Sequence, residues 1–171
     1  LLLLVFGAAK AALIPLHGWL PAAMVAPAPV SALLHAVAVV KAGVFTVLKV
    51  SAYIFGPDLI AALPAAMWIL WIAAATIVIA SLVALTKDDL KARLAWSTVS
   101  QLAYVTSAAM LPWASGLVAG GLYMLFHAVA KITLFMCAGA IYVATGANRA
   151  SEMGGLGRRM PIVFTCFMIA S

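Results

Sequence analysis

The sequence predicts an all-α protein, a polytopic bundle of transmembrane helices in which one helix is broken by prolines. Of its residues, 67% are hydrophobic and only 8% are charged, whereas about a quarter of an ordinary soluble domain is charged. The apolar residues fall into about six segments, each near the ~20 residues that cross a bilayer. The short alternating strands of a membrane barrel are missing from the sequence, so a helical bundle is the architecture that fits.

Proline, glycine and charged residues separate the segments and are typical of helix ends. The predicted segments are 1–24, 29–55, 64–86, 95–112, 115–145 and 161 onward. The separators are PAP at 27–29, GPD at 56–58, KDD at 87–89, LPW at 111–113 and GANRASEMGGLGRRMP at 146–161. Both ends of the sequence are apolar. We therefore expect residues 1–171 to form a single partial transmembrane domain, the middle part of a longer membrane protein.

Basic residues in the loops predict the orientation of the bundle. The loops 87–94 and 146–160 each carry three lysine or arginine residues, and the loops 56–63 and 111–114 carry none. Two helices separate the basic loops, which places both on one face, and the positive-inside rule makes that face cytoplasmic. The sequence therefore predicts a multi-pass protein of the cell inner (plasma) membrane.

The first segment is not a plain membrane span. Lys10 is followed by IPLHGWLPAAM, which places Pro15, Gly18 and Pro21 where a continuous helix would lie. Proline removes a helical hydrogen bond, and backbone groups freed at membrane depth need protein or water as partners. A lysine beside a broken helix is typical of an intramembrane ion site. The alternative is an interfacial, re-entrant corner at 16–24.

Lysine residues inside the apolar segments indicate an ion pathway. Lys10, Lys41 and Lys131 lie well inside their segments, whereas Lys49 is nearer an end and can reach the interface. Each central lysine costs about 2.5–3.5 kcal/mol on insertion scales. A satisfied structural lysine could explain any one of them. Three together favour a pathway, because intramembrane ionisable residues usually mark one.

The spacing of the ionisable residues predicts a water-linked proton relay. Tyr123, His127 and Lys131 follow one another at intervals of four residues and so share one helix face. His35 and Lys41 are six residues apart, about 9 Å along a helix axis. One or two waters can bridge such gaps. Histidine titrates near neutrality and can pass a proton through its two ring nitrogens.

Other kinds of site fit the sequence less well. The net charge of +6 comes from scattered residues, so no nucleic-acid partner is predicted. Cys137 and Cys166 are far apart and lack metal-ligand spacing, so neither a metal nor another cofactor is expected. His35 and His127 could clamp a haem, but the nearby lysines and the lack of a second histidine pair argue against it. We find no constellation of catalytic residues, and enzymatic activity stays uncertain.

Three stretches resemble the antiporter-like membrane subunits of respiratory complex I and of the multisubunit cation/proton antiporters. KAALIPLHGWLPAAMVAPAPVSALLHAVAVVKAGVF is similar to the signature region of that family. LKARLAWSTVSQLAYV is similar to its next marker, and FHAVAKITLFMCAGAIYVATG with MGGLGRRMP to the third. HAVAVVKAGVF and KARLAWSTVSQL look closest to the D-type proteins of the cation/proton antiporters.

The resemblance implies a role for each relay residue. Lys10 matches the lysine of a broken helix that acts as a switch, and His35 and Lys41 match the connecting helix. His127 and Lys131 match the central relay. Tyr123 stands where some relatives carry a further histidine, so a phenol would replace an imidazole there. The resemblance also implies a partner glutamate upstream of residue 1 and a second broken helix downstream of residue 171.

We therefore predict proton translocation within a multisubunit monovalent cation/proton antiporter, of which this protein would be one component. An alternative is a proton-pumping component of an NADH-quinone oxidoreductase or a related membrane hydrogenase, and a second alternative is a non-conducting structural role. The predicted partners are the lipid bilayer, other membrane subunits of the same complex and protons. Whether sodium is also carried stays open.

Overall fold

The computed structural model is a helical bundle. It describes the backbone of residues 2–36 and 38–171, and the side chains of residues 6–34 and 38–171. Within these ranges the β-structure is limited to one isolated bridge between Asp89 and Arg149, and the predicted all-α fold is confirmed. The α-helices are α1 (Leu2–Lys10), α2 (Trp19–Ala22), α3 (Ala28–Ala36), α4 (Val39–Lys49), α5 (Gly56–Ala62), α6 (Pro64–Thr86), α7 (Leu90–Ala109), α8 (Ala114–Thr145) and α9 (Pro161–Ala170).

The helices follow the predicted segments closely, because long apolar stretches between strong breakers leave the chain little choice. The stretch Ala28–Ala62, α6 and α8 are each long and apolar enough to cross a membrane. The second predicted segment is less regular than expected. A bend at Ala38 precedes α4, and a π-helical stretch, Val50–Phe55, joins α4 to α5. The π-helix shifts the hydrogen-bond register from i→i−4 to i→i−5.

The two basic loops lie together at one end of the bundle. The Asp88 carboxylate accepts hydrogen bonds from the Ser151 hydroxyl at 2.7 Å and from the Ser151 backbone amide at 3.1 Å. The backbone amide of Ala150 donates to the carbonyl of Asp88 at 2.8 Å. The loops 87–94 and 146–160 are therefore on the same side, and we call this end of the bundle the basic-loop face.

Two glycines allow α1 and α4 to pack with their backbones in contact. A Cβ atom on Gly43 would lie 2.6 Å from the Ala11 nitrogen and 2.7 Å from the Lys10 Cβ. A Cβ atom on Gly7 would lie 2.6 Å from a methyl group of Val47. Because real Cβ contacts are not this short, only glycine fits at either position. This contact places the end of α1 directly against the helix that carries Lys41.

Candidate functional site

Lys41 of α4 meets His127 of α8 in the interior of the bundle. The Lys41 Nζ lies 2.9 Å from the His127 Nδ1 and donates to the backbone carbonyl of Met124 at 3.0 Å. Lys41 is 7% exposed and His127 is 8% exposed. When Lys41 is an ammonium, Nδ1 must accept, and the proton of the neutral ring is then on Nε2. Two groups that can both exchange protons therefore touch directly, although they come from helices far apart in sequence.

Lys131 is held one helical turn further along α8, against α7. Its Nζ donates to the Ser97 hydroxyl at 2.5 Å and to the Leu94 carbonyl at 3.3 Å. Ser97 itself donates to the same Leu94 carbonyl at 3.0 Å. Lys131 is only 4% exposed. Its ammonium thus has oxygen acceptors from α7 in a region that is otherwise mostly apolar.

Tyr123, at the other end of the predicted α8 stripe, also faces α7. Its hydroxyl donates to Oε1 of Gln101, and its ring lies 6.1 Å from that of Tyr104. Unlike His127 and Lys131, Tyr123 is 40% exposed. The structure therefore brings Lys41, His127 and Lys131 together in the interior and leaves Tyr123 at the margin of the group.

The polar face of α7 is the part of the site that sequence reasoning missed. Ser97, Ser100, Gln101 and Tyr104 follow at i, i+3, i+4 and i+7, the spacing of one helix face. Ser100 also shares a hydrogen bond of 2.8 Å with Ser81 of α6. The stretch WSTVSQLAY carries this signal as a row of polar residues at helical spacing. Serine and glutamine do not titrate, so a search for ionisable groups passes over them.

Lys10, at the broken helix, has different surroundings from the interior lysines. Helix α1 ends at Lys10 and helical structure resumes at Trp19, so Pro15 and Gly18 lie in the interruption. Pro21 lies in the first turn of α2, where proline is tolerated. Lys10 is exposed, and its Nζ lies 5.3 Å from the centre of the Phe6 ring. It does not join the hydrogen bonds of the interior lysines.

Protein groups satisfy part of the backbone that the break frees. The backbone amide of Ile14 donates to the hydroxyl of Thr76 on α6 at 3.3 Å, and Thr76 is fully buried. The indole Nε1 of Trp19 donates to the carbonyl of Ala9 at 3.2 Å, near the end of α1. These are the partners that a break at membrane depth requires. Thr76 and Trp19 were not among the sequence-predicted site residues.

His35 belongs to α3, but its side chain lies outside the described residues, so its relay role stays a prediction. Among the described residues, no three His, Cys, Asp or Glu side chains come together as a metal site would require. Cys137 is buried and Cys166 is exposed, and both are free thiols. The chemistry available in the described interior is therefore that of lysine, histidine, hydroxyl and amide groups.

Comparison with known proteins agrees with the fold and with the sequence markers. The family described as "NADH:quinone oxidoreductase/Mrp antiporter, TM" matches residues 1–171. The chain is 40% identical over 174 residues to the L component of the F(420)H(2) dehydrogenase of Methanosarcina mazei, with 99% of this chain and 25% of the relative covered. It is 40% identical over 173 residues to the A/B component of a probable K(+)/H(+) antiporter of Rhizobium meliloti, with 100% of this chain and 17% of the relative covered.

A solved structure shows the same fold. The Mrp complex from Dietzia sp. DQ12-45-1b contains a chain that superposes with a TM-score of 0.88 at 31% identity, covering 98% of this chain and 30% of that one. The chain spans a quarter or less of the length of the two sequence relatives and under a third of the length of the structural neighbour.

Proposed function

The chain belongs to the NADH:quinone oxidoreductase/Mrp antiporter transmembrane family, and on this premise we propose that it conducts protons within a larger membrane complex. The observation that carries the proposal is the 2.9 Å contact between the Lys41 Nζ and the His127 Nδ1. Both groups are buried, they come from different helices, and each can hold or release a proton. A purely structural hydrogen bond does not need two bases.

The contact supports a simple order of proton transfers. A proton on the Lys41 ammonium moves along the hydrogen bond to Nδ1 of His127, which leaves a neutral amine and an imidazolium. The imidazolium then releases its Nε2 proton to the next acceptor, which leaves the pair neutral. Uptake of a new proton by the Lys41 amine, with return of the remaining ring proton to Nε2, restores the starting state. Lys131 lies one helical turn, about 6 Å, along α8 from His127. A single bridging water can connect the two.

The remaining relay residues extend this path at its ends. Lys10 acts as the switch at the broken helix, and its segment packs against α4 through Gly43. Tyr123 orients water at the margin of the relay through its bond to Gln101. His35 is assigned to the connecting region from its position in the sequence alone.

The larger complex is a multisubunit monovalent cation/proton antiporter, with a redox-driven proton pump as the second candidate. The antiporter relative of Rhizobium meliloti favours the first, and the dehydrogenase relative of Methanosarcina mazei favours the second. These two relatives are named as L and A/B components, so they lend no support to the D-type that the motifs favour. The neighbouring genes separate the candidates: antiporter genes alone, or genes for quinone and iron–sulfur proteins beside them.

We propose that the protein is a multi-pass component of the plasma membrane. Residues 1–171 would then be the middle part of its transmembrane domain. The basic-loop face carries six lysine and arginine residues in its two loops, and the positive-inside rule assigns it to the cytoplasm. Protons are the proposed cargo, and the partners are the other membrane subunits of the complex.

Alanine substitution of the interior lysines in the full-length protein tests the proposal. We expect Lys41→Ala and Lys131→Ala each to lower proton flux about tenfold or more, since one proton-exchanging group in a series is removed. The measurement is flux in inverted membrane vesicles, normalised to the abundance of the complex. Lys49→Ala is the matched control, because Lys49 ends α4 and is exposed.

Wild-type flux in both interior variants, at normal abundance, would refute the relay and favour the non-conducting structural role. An equal loss in all three variants would show that the membrane depth of the lysine is not what matters.

A further inference from the structure

We propose that Thr76 of α6 is a positioning residue that fixes the geometry of the helix break and, through it, the position of Lys10. Thr76 is fully buried in a long apolar helix, whereas Lys10 is exposed at the end of α1. The inference rests on the proposed role of Lys10 as the switch. It adds the side chain that holds the switch in place.

The last backbone amide before the interruption takes its partner from another helix. The three amides that follow Lys10 bond within their own segment, in steps of four, three and five residues: Ala11 to Gly7 at 2.8 Å, Ala12 to Ala9 at 3.2 Å and Leu13 to Ala8 at 3.2 Å. The Ile14 amide then donates to the Thr76 hydroxyl at 3.3 Å. Pro15, which follows, has no amide proton. The helical register of α1 is therefore lost step by step, and Thr76 receives the last donor.

The Thr76 hydroxyl joins two backbones. It donates to the Ile72 carbonyl of its own helix at 2.7 Å and accepts from the Ile14 amide. A hydroxyl has one proton, and because that proton is directed at Ile72, the lone pairs are left for an incoming donor. One side chain therefore ties the break to α6, and an apolar side chain of similar shape cannot replace it.

Apolar packing closes the site around this hydrogen bond. Leu13, which precedes Ile14, forms a buried cluster with Ala73 of α6 and Ala103 of α7. Leu13 is 3% exposed, and the two alanines are fully buried, as is Thr76. Water therefore has no access from the side of Thr76. An amide that loses its partner in such surroundings is left unsatisfied, which is costly.

The backbone between Lys10 and Ile14 is strained at Ala12. Its φ is 58°, in the left-handed region that residues with a Cβ atom seldom adopt. Such a residue keeps its conformation only where the surrounding structure holds it. The Thr76 bond is one of these holds, two residues further along. When it is lost, we expect Ala12 to relax toward an ordinary conformation and Lys10, two residues before it, to lose its fixed position.

Thr76→Val in the full-length protein, within its complex, tests the inference. Valine keeps the branched shape of threonine and lacks the hydroxyl. We expect the Ile14 amide to exchange with deuterium about tenfold faster, because its hydrogen bond is lost. Mass spectrometry of the peptide that contains Ile14 measures this rate. We expect proton flux in inverted membrane vesicles, normalised to the abundance of the complex, to fall about fivefold, since Lys10 is no longer held.

Two variants serve as controls. Thr76→Ser keeps the hydroxyl and should restore most of the flux and the slow exchange. Thr106→Val makes the same change on α7. Thr106 is also fully buried, but its hydroxyl donates to a carbonyl of its own helix, that of Leu102, at 3.1 Å. This variant should leave both the flux and the exchange at Ile14 as they are in the unaltered protein.

A double variant distinguishes positioning of Lys10 from general stabilisation of the bundle. The effects of residues that act through one another are not additive. On a Lys10→Ala background, we therefore expect Thr76→Val to lower the remaining flux by less than about twofold. A residue that only stabilises the fold would lower it by its full factor again.

Three results would overturn the proposal: unchanged exchange at Ile14 in Thr76→Val, normal flux in that variant, or its full loss of flux repeated on the Lys10→Ala background. Lys41→Ala in the same assay separates this failure from failure of the proposed function. A loss of flux in Lys41→Ala with normal flux in Thr76→Val refutes the positioning role and keeps the relay. Normal flux in both variants would refute the relay as well.

Discussion

Lys131 and Lys10 are both lysines within apolar sequence, yet the structure surrounds them in opposite ways. Lys131 is buried and donates to the Ser97 hydroxyl and the Leu94 carbonyl. Lys10 is exposed, over the ring of Phe6, at the point where its helix ends. In the first case the fold supplies partners for the charge. In the second it supplies partners for the broken backbone, through Thr76 and Trp19.

The hydrogen bonds of Lys131 offset much of the free-energy cost of burying a lysine. A hydrogen bond to a charged group contributes about 1.5–3 kcal/mol, and Lys131 makes two. Inserting a lysine at mid-membrane costs about 2.5–3.5 kcal/mol. The two amounts are similar, so burial of Lys131 alone is weak evidence for function. The contact between Lys41 and His127 is stronger evidence, because it joins two groups that can each hold or release a proton.

The largest effect on proton flux is expected at the broken helix, where Lys10 is exposed. We expect Lys10→Ala in the full-length protein to lower proton flux about tenfold or more, because it removes the proposed switch charge beside the helix break. The abundance of the complex should be unchanged, since the side chain is exposed. Vesicle flux and immunoblotting measure the two quantities.

Lys49→Ala is again the matched control, because Lys49 is exposed at a helix end and lies 5.2 Å from the Phe45 ring, as Lys10 lies near Phe6. Normal flux in Lys10→Ala would remove Lys10 from the path and confine the relay to the interior of the bundle.

Gly43→Ala tests whether the two regions depend on each other through packing. The added methyl group would lie 2.6–2.7 Å from backbone atoms of Lys10 and Ala11 and from the Lys10 Cβ. Such overpacking typically costs about 1–3 kcal/mol. We expect a lower melting temperature of the complex and a several-fold loss of flux. Gly121→Ala, at a position with open space around it, should change neither. If Gly43→Ala and Gly121→Ala had the same melting temperature and the same flux, α1 and α4 would be able to move apart at little cost.

His127→Gln should have an intermediate effect. Glutamine keeps a hydrogen-bonding group beside Lys41 but does not titrate near neutral pH. We expect a partial loss of flux and a flatter pH–flux profile between about pH 6 and 8. Tyr123→Phe should matter less, because the phenol is half-exposed and rarely ionises in this range. An unchanged profile in His127→Gln would indicate that the histidine only packs the helices together.

The smallest effect is expected at the basic-loop face. Hydrogen bonds from the Ser151 hydroxyl and backbone amide hold the pKa of the Asp88 carboxyl below its usual range. The link therefore contributes fully above the ordinary pKa of the carboxyl and is lost as the pH falls through the lowered pKa. At neutral pH, Asp88→Asn should leave flux unchanged and speed hydrogen exchange of the Ser151 amide modestly. A large loss of flux would give this loop pair a role in conduction.

Much of the fold could be predicted, because each helix is defined by residues close together in sequence. The breakers at 87–89 and 111–113 lie within a few residues of the two ends of α7. The helix begins at Leu90, earlier than the start predicted at residue 95. The bend at Ala38 and the π-helix at Val50–Phe55 were not predicted. Neither has a proline or other strong local signal inside it, so hydropathy and helix-breaking residues do not locate them.

The sequence by itself determined the membrane class, the helical segments, the break after Lys10 and the single face shared by Tyr123, His127 and Lys131. These follow from hydropathy and helical periodicity, which act over a few turns of one helix. Tertiary structure decided that Lys41 meets His127 and that α7 rather than α4 holds Lys131. Such contacts join residues from 34 to 86 positions apart, and their choice depends on which helix surfaces pack together.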